Sequence, residues 1–133
     1  YNNYVITLNR ESVMGSVLEA AKASFAQKMS VDLLSIEVPA WQVNGQPAVI
    51  YFRPCMTLKQ KGRILDLLNE NNVAEMLFTK LHLIALDKEG KKLFTSSDRV
   101  ECMHHIDPEE LSALLSRIDK MQQEISSEDA IKN

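Results

Sequence analysis

The chain has little of what marks the specialised sequence classes. Four glycines and four prolines in 133 residues leave few interruptions, so regular secondary structure should dominate. Two cysteines, Cys55 and Cys102, are too few for the disulfide framework of a small secreted domain, and reduced, partly buried thiols are expected. No run approaches the roughly 20 apolar residues of a membrane-spanning helix. No basic segment followed by an apolar core opens the chain, which gives the expectation of no secretory signal. The start at Tyr1 rather than methionine gives the expectation of a processed or trimmed end. A net charge of −3 supplies no general attraction to phosphate or anionic lipid, so neither nucleic acid nor membrane is an expected partner. The mild basic surplus between Arg53 and Lys92 fits a solvated helix face, because nucleic-acid sites are usually more basic and more aromatic. A glycine-rich phosphate loop is missing as well: Gly62 stands alone between Lys61 and Arg63, without the required spacing.

What is present is a globular composition, 45% hydrophobic and 25% charged. At this length one domain is expected, with roughly two-thirds of the unfolded surface buried on folding. The apolar pattern places that domain in residues 1–121 and leaves 122–133 as a polar, acidic, mobile tail.

The periodicities predict an α+β fold, mainly α-helical, with about five helices and one β-hairpin over roughly residues 31–53. Tyr4–Leu8 alternates and reads as a short strand. After capping residues between Asn9 and Ser12, Val13, Met14, Val17, Leu18, Ala21 and Phe25 form one helical face. That face is broad for an N-terminal helix and must pack on the core or on another subunit. Val31–Val38 is β-prone and is expected to end at Pro39, which removes a ladder donor. Asn44-Gly45 is a strong hairpin-turn dipeptide, and Ala48–Arg53 returns as the partner strand. Trp41 is expected in a long hairpin loop, either as a lid on the local core or as a recognition anchor.

Thr57-Leu-Lys-Gln60 is a capping-box pattern that opens a helix with Leu58, Ile64, Leu65 and Leu68 on its apolar stripe. A second helix over Val73–Leu86 is apolar nearly all round and should be central, burying Met76, Leu77, Leu81, Ile84 and Ala85. Asp87-Lys-Glu-Gly90 turns the chain, Leu93 and Phe94 anchor the loop, and Ser97 or Asp98 caps a short helix to about His104. Asp107-Pro108-Glu109-Glu110 is a compact helix start, a cap followed by proline and two acids at the positive end of the dipole. Leu111, Leu114, Leu115, Ile118 and Met121 continue as its stripe.

No catalytic, cofactor-binding or metal-binding residues are expected. Cys102, His104 and His105 are the only metal-like cluster. They supply three ligands at one place, two of them adjacent, where a structural zinc site wants four at characteristic spacing. A cysteine nucleophile would need a histidine within hydrogen-bond reach and a group to orient it, and nothing in the sequence positions such a set. Glu109 and Glu110 are explained by helix capping, and His82 on an apolar helix by a core or interface role.

Four pieces of the chain, in order, resemble the tail assembly chaperones of long-tailed (siphovirus-type) bacteriophages. They are the helix Ser16-Val-Leu-Glu-Ala-Ala-Lys-Ala-Ser-Phe25; the strand ending Glu37-Val-Pro-Ala-Trp41; Val49-Ile-Tyr-Phe-Arg53-Pro54 with the Met56-Thr-Leu58 helix start; and Leu83-Ile-Ala-Leu-Asp87-Lys-Glu-Gly90-Lys-Lys-Leu-Phe94, followed by Ser97-Asp98 and a helix after Asp107. They span most of residues 16–118. The resemblance implies a non-catalytic protein of the infected host's cytoplasm, absent from the mature virion. Its implied partners are itself, as a homo-oligomer, and the tape measure protein, which it keeps soluble while tail tube subunits polymerise. It also implies the tail tube protein as a neighbour and a longer form made by ribosomal frameshifting, for which Ile131-Lys132-Asn133 could be encoded by an A-rich slip site. A structural tail completion or connector protein is the alternative of similar size. The surface expected to meet a partner or a second copy is Val13, Met14, Val17, Leu18 and Phe25, together with Trp41, since a holdase must present apolar surface.

Overall fold

The computed structural model describes the backbone of residues 2–132 and the side chains of residues 15–127. The order is α1 (Asn2–Met29), β1 (Leu34–Val43), β2 (Gln46–Phe52), α2 (Leu58–Asn69), α3 (Val73–Ile84), a 3-10 turn (Ser96–Asp98), α4 (Arg99–His105) and α5 (Pro108–Lys132). Five helices and one antiparallel hairpin make an α+β fold that is 61% helical. The chain falls into two compact units, residues 1–31 and 32–133.

The first unit is α1 alone. Tyr4–Leu8, expected as a strand, lies inside this helix, and so do the expected capping residues Asn9–Ser12. The β-branched run there disfavours helix by under about 0.7 kcal/mol per residue, a weak preference that context overrides. The side chains of Val13 and Met14 lie outside the described residues.

The second unit is built on the hairpin. Its turn is two residues long, with Asn44 at φ 53° and Gly45 at φ 79°. Positive φ at both central positions is the type I′ turn whose twist matches the strands. Ile36 and Val38 of β1 and Ile50 and Phe52 of β2 alternate onto one buried face. That face meets Leu81, Ile84 and Ala85 at the end of α3 and Leu111, Leu114, Leu115 and Ile118 of α5.

Pro39 does not end β1, as the sequence had suggested. The pairing runs Val38 with Ala48 and then Gln42 with Pro47, so Pro39, Ala40 and Trp41 form a bulge, where a residue without an N–H is tolerated. The bulge also reverses the alternation of faces. Trp41 therefore lies beside Ala48 on the core side, in the strand rather than in a long loop, and packs half-buried against the core.

Beyond Phe52 the caps follow the sequence closely. Thr57 Oγ1 accepts from Gln60 N at 3.1 Å, and Gln60 Oε1 accepts from Thr57 N at 2.9 Å. Helix α3 stops at Ile84, two residues earlier than expected, because Leu86 is used as extended chain. It exchanges both backbone hydrogen bonds with Tyr51, at 2.8 and 3.0 Å, and so adds a short third rung to the hairpin. Asp87 holds the following turn, its Oδ1 accepting from Glu89 N and Lys91 N at 2.9 Å each, with Gly90 at φ 85°. Asp98 is the N-cap residue of α4, as expected, but its side chain makes no capping bond there; it serves the 3-10 turn before it, where Thr95 is the cap and its N–H donates to Asp98 Oδ2 at 2.8 Å. Asp107 Oδ1 accepts from Glu109 N at 2.8 Å and starts α5, which continues to Lys132, through the segment expected to be a tail.

Candidate functional site

Helix α1 carries the predicted contact residues that are described, and they are open. Val17 is 67% and Leu18 59% exposed, and Phe25 is also exposed. Trp41 belongs to the other unit, where its Nε1 donates to Glu110 Oε1 at 3.1 Å. The polar edge of the indole is thus used within the fold, and the ring acts as a lid on the core.

A second open apolar face was missed. Helix α2 buries only Ile64. Leu58, 89% exposed, lies out in solvent, and Leu65 and Leu68 are exposed as well. The sequence shows this stripe, but a stripe reports which side is apolar and not what covers it. Lys61 lies on the same side of the helix, and Lys59 and Arg63 lie on the opposite side. Met76 and Leu77 of α3, expected to be buried, are half-buried; Phe78 and Thr79 lie deeper than either.

The cysteine and histidine side chains are placed separately. His104 Nδ1 is 2.9 Å from Val100 O, and His105 Nε2 is 3.7 Å from Glu101. His82 Nδ1 is 2.7 Å from Phe94 O and its ring stacks on Phe78 at 6.1 Å. A ring nitrogen facing a carbonyl must carry the proton, so in His82 and His104 Nδ1 is the donor. Burial pushes the Cys102 thiol up, and Asp98 and Glu101 add to the rise, the reverse of what activates a thiolate. Among the described residues no three His, Cys, Asp or Glu side chains converge on one point. No helix among them is long and apolar enough to cross a membrane.

Among the described residues, hollows mark the second unit. One of about 210 Å³ lies between α3, α4 and α5 and is lined by apolar side chains with Cys102 at its lip. A shallower one of about 350 Å³ adjoins it and is bounded by Leu93, Phe94, Asp98, Glu101, Cys102 and Ile106. An open groove of about 770 Å³ runs between the start of α2 and the distal half of α5, with mixed lining that includes Leu58, Lys61, Asp119 and Gln122. Helix α4 thus has a hollow on either side and buries none of its own residues.

No protein-family model, no curated protein and no solved structure matches the chain.

Proposed function

We propose that the chain is a non-catalytic tail assembly chaperone of a long-tailed bacteriophage, which associates with copies of itself and binds the tape measure protein. The observation that carries this reading is the pair of open apolar helix faces, Val17, Leu18 and Phe25 on α1 and Leu58, Leu65 and Leu68 on α2. Exposed apolar surface on this scale marks a place where another chain packs. Two separate faces suit a protein that holds its own kind through one and a long apolar helix through the other. The ordered resemblance across residues 16–118 supplies the identity of the client and the setting, the cytoplasm of an infected host.

The deciding experiment is co-expression with the adjacent long, helical, tape-measure-like protein. The client should remain soluble and co-purify only when this chain is present. Leu58→Asp with Leu65→Asp, which alters exposed positions and should leave the fold intact, should weaken that capture. Failure to keep the client soluble would refute the reading. Detection of the chain in purified virions would instead favour a tail completion or connector protein.

A further inference from the structure

The pocket between α3, α4 and α5 has a definite size and chemistry. Its wall is formed by Leu77, Phe78, Leu81, Met103, Ile106 and Leu111, and its volume is about 210 Å³. A cavity of about 150 Å³ lined by such residues accepts a benzene molecule. There is room here for one aromatic ring and little more.

The surroundings of the pocket are acidic. Asp98 and Glu101 line the hollow that shares Cys102 and Ile106 with it. Arg99, on the same helix as Glu101, is taken up by Glu75. His105 lies against Glu101 itself, and His104 is turned to Val100 O. The upward push on the Cys102 thiol by Asp98 and Glu101 reports the same negative field. The occupant that fits is an apolar ring flanked by positive charge. Within the described part of the chain, α1 presents that arrangement: an exposed Phe25, with exposed Lys22 three residues before it and half-buried Lys28 three residues after. Residues at that spacing share one side of a helix. Lys22 also meets Glu19 at 3.3 Å, an exposed pair too weak to hold it back.

We infer that the α3–α4–α5 pocket of one copy receives Phe25 from α1 of a second copy, with Lys22 and Lys28 set against Glu101 and Asp98. This deepens the chaperone reading by naming the contact through which copies associate, and rests on that reading only for the expectation that they do. Exchanged reciprocally, the contact closes a two-fold pair; passed head to tail, it builds a ring or an open chain.

Two variants test it. Phe25→Asp removes the ring from α1. Ala74→Phe, at an exposed position on the lip of the pocket, fills the hollow from within its own chain. Circular dichroism and a cooperative urea transition establish that both fold. In light scattering the wild type should exceed 15.1 kDa, and each variant alone should fall to the monomer mass. Mixed in equal amounts, one variant offers an open pocket and the other an intact Phe25, and the mixture should form a 1:1 heterodimer and nothing larger. A monomeric wild type, unchanged mass in either variant, or a mixture that stays monomeric would each overturn the inference. So would a Phe25→Asp variant that loses the tape-measure client while keeping its mass, which would make the client the occupant. Client capture surviving in monomeric variants would separate this contact from the chaperone activity.

Discussion

The indole N–H of Trp41 and the carboxylate of Glu110 meet at 3.1 Å across 69 residues of chain, and this contact ties the bulge of β1 to the first turn of α5. Trp41→Phe keeps most of the ring and removes the donor. The variant should lose about 1 kcal/mol, the net worth of a partly exposed hydrogen bond. Trp41→Ala uncovers the core beneath and should lose about 3 kcal/mol. Urea titration of both against wild type gives the comparison, and equal losses would mean that the ring contributes nothing beyond its N–H.

Lys80 of α3 and Asp119 of α5 form a 2.6 Å ion pair whose lysine side chain is only 14% exposed, against 40% for the aspartate. Asp119→Ala strands the buried ammonium and should destabilise by about 1–3 kcal/mol, toward the low end because the carboxylate faces water. Lys80→Met replaces the charge with an apolar chain of similar length and should be nearly neutral. A double-mutant cycle measures the coupling, which should fall as salt is raised.

Gly90 sits at φ 85°, and a Cβ there would meet Arg53 Nη2 at 3.5 Å and Leu33 Cδ1 at 3.9 Å, which is ordinary contact. The penalty of Gly90→Ala is therefore one of backbone conformation, about 1–2 kcal/mol. Gly90→Asn should cost less, because asparagine tolerates that region. Hydrogen exchange should quicken first at the amides of Leu86 and Tyr51, which the turn holds in register.

Cys102 should alkylate late. Burial, Asp98 and Glu101 all raise its pKa, so the folded protein holds the thiol proton more tightly than the unfolded chain does. The stabilising contribution is complete below the unfolded thiol's pKa and is lost as pH rises through the folded value. In a Cys55→Ser background, the midpoint of iodoacetamide reactivity against pH should be higher for folded protein than for the same protein in urea. A folded midpoint at or below the unfolded one would contradict the local field.

The parts of the fold legible in the sequence are those fixed by local chemistry. Thr57 with Gln60, Asn44-Gly45, and Asp107 with Pro108 each satisfy backbone groups within a few residues, and each lies where its pattern placed it. The errors arose where a distant partner decided the outcome. Pro39 reads as a strand end until the pairing across to Ala48 and Pro47 shows the bulge that accommodates it. Leu86 reads as helix until Tyr51 claims its backbone. Tyr4–Leu8 alternates like a strand, yet no partner strand pairs with it in α1.

The candidate surface was legible in part for the same reason. Val17, Leu18 and Phe25 stand out as an apolar face whose cover is not evident, and they are exposed. Leu58, Leu65 and Leu68 show the same pattern on α2, and helical spacing does not distinguish a side packed inward from one left open. The α3–α4–α5 pocket has no sequence signal at all, since its lining comes from three helices and its volume from what they leave unfilled.

The exchange of both Tyr51 hydrogen bonds with Leu86 turns the backbone groups of Ser35 and Glu37 toward the outer side of β1. There Arg117 Nη1 donates to Glu37 O at 3.2 Å, and Pro39 offers no N–H to a further strand. With Glu37 O engaged and no N–H at Pro39, this edge is a poorer template for the backbone ladder by which strands add without limit. With the strand edge blunted and the helix faces open, another chain would meet this one through side-chain contacts, which separate again, more readily than through an added strand.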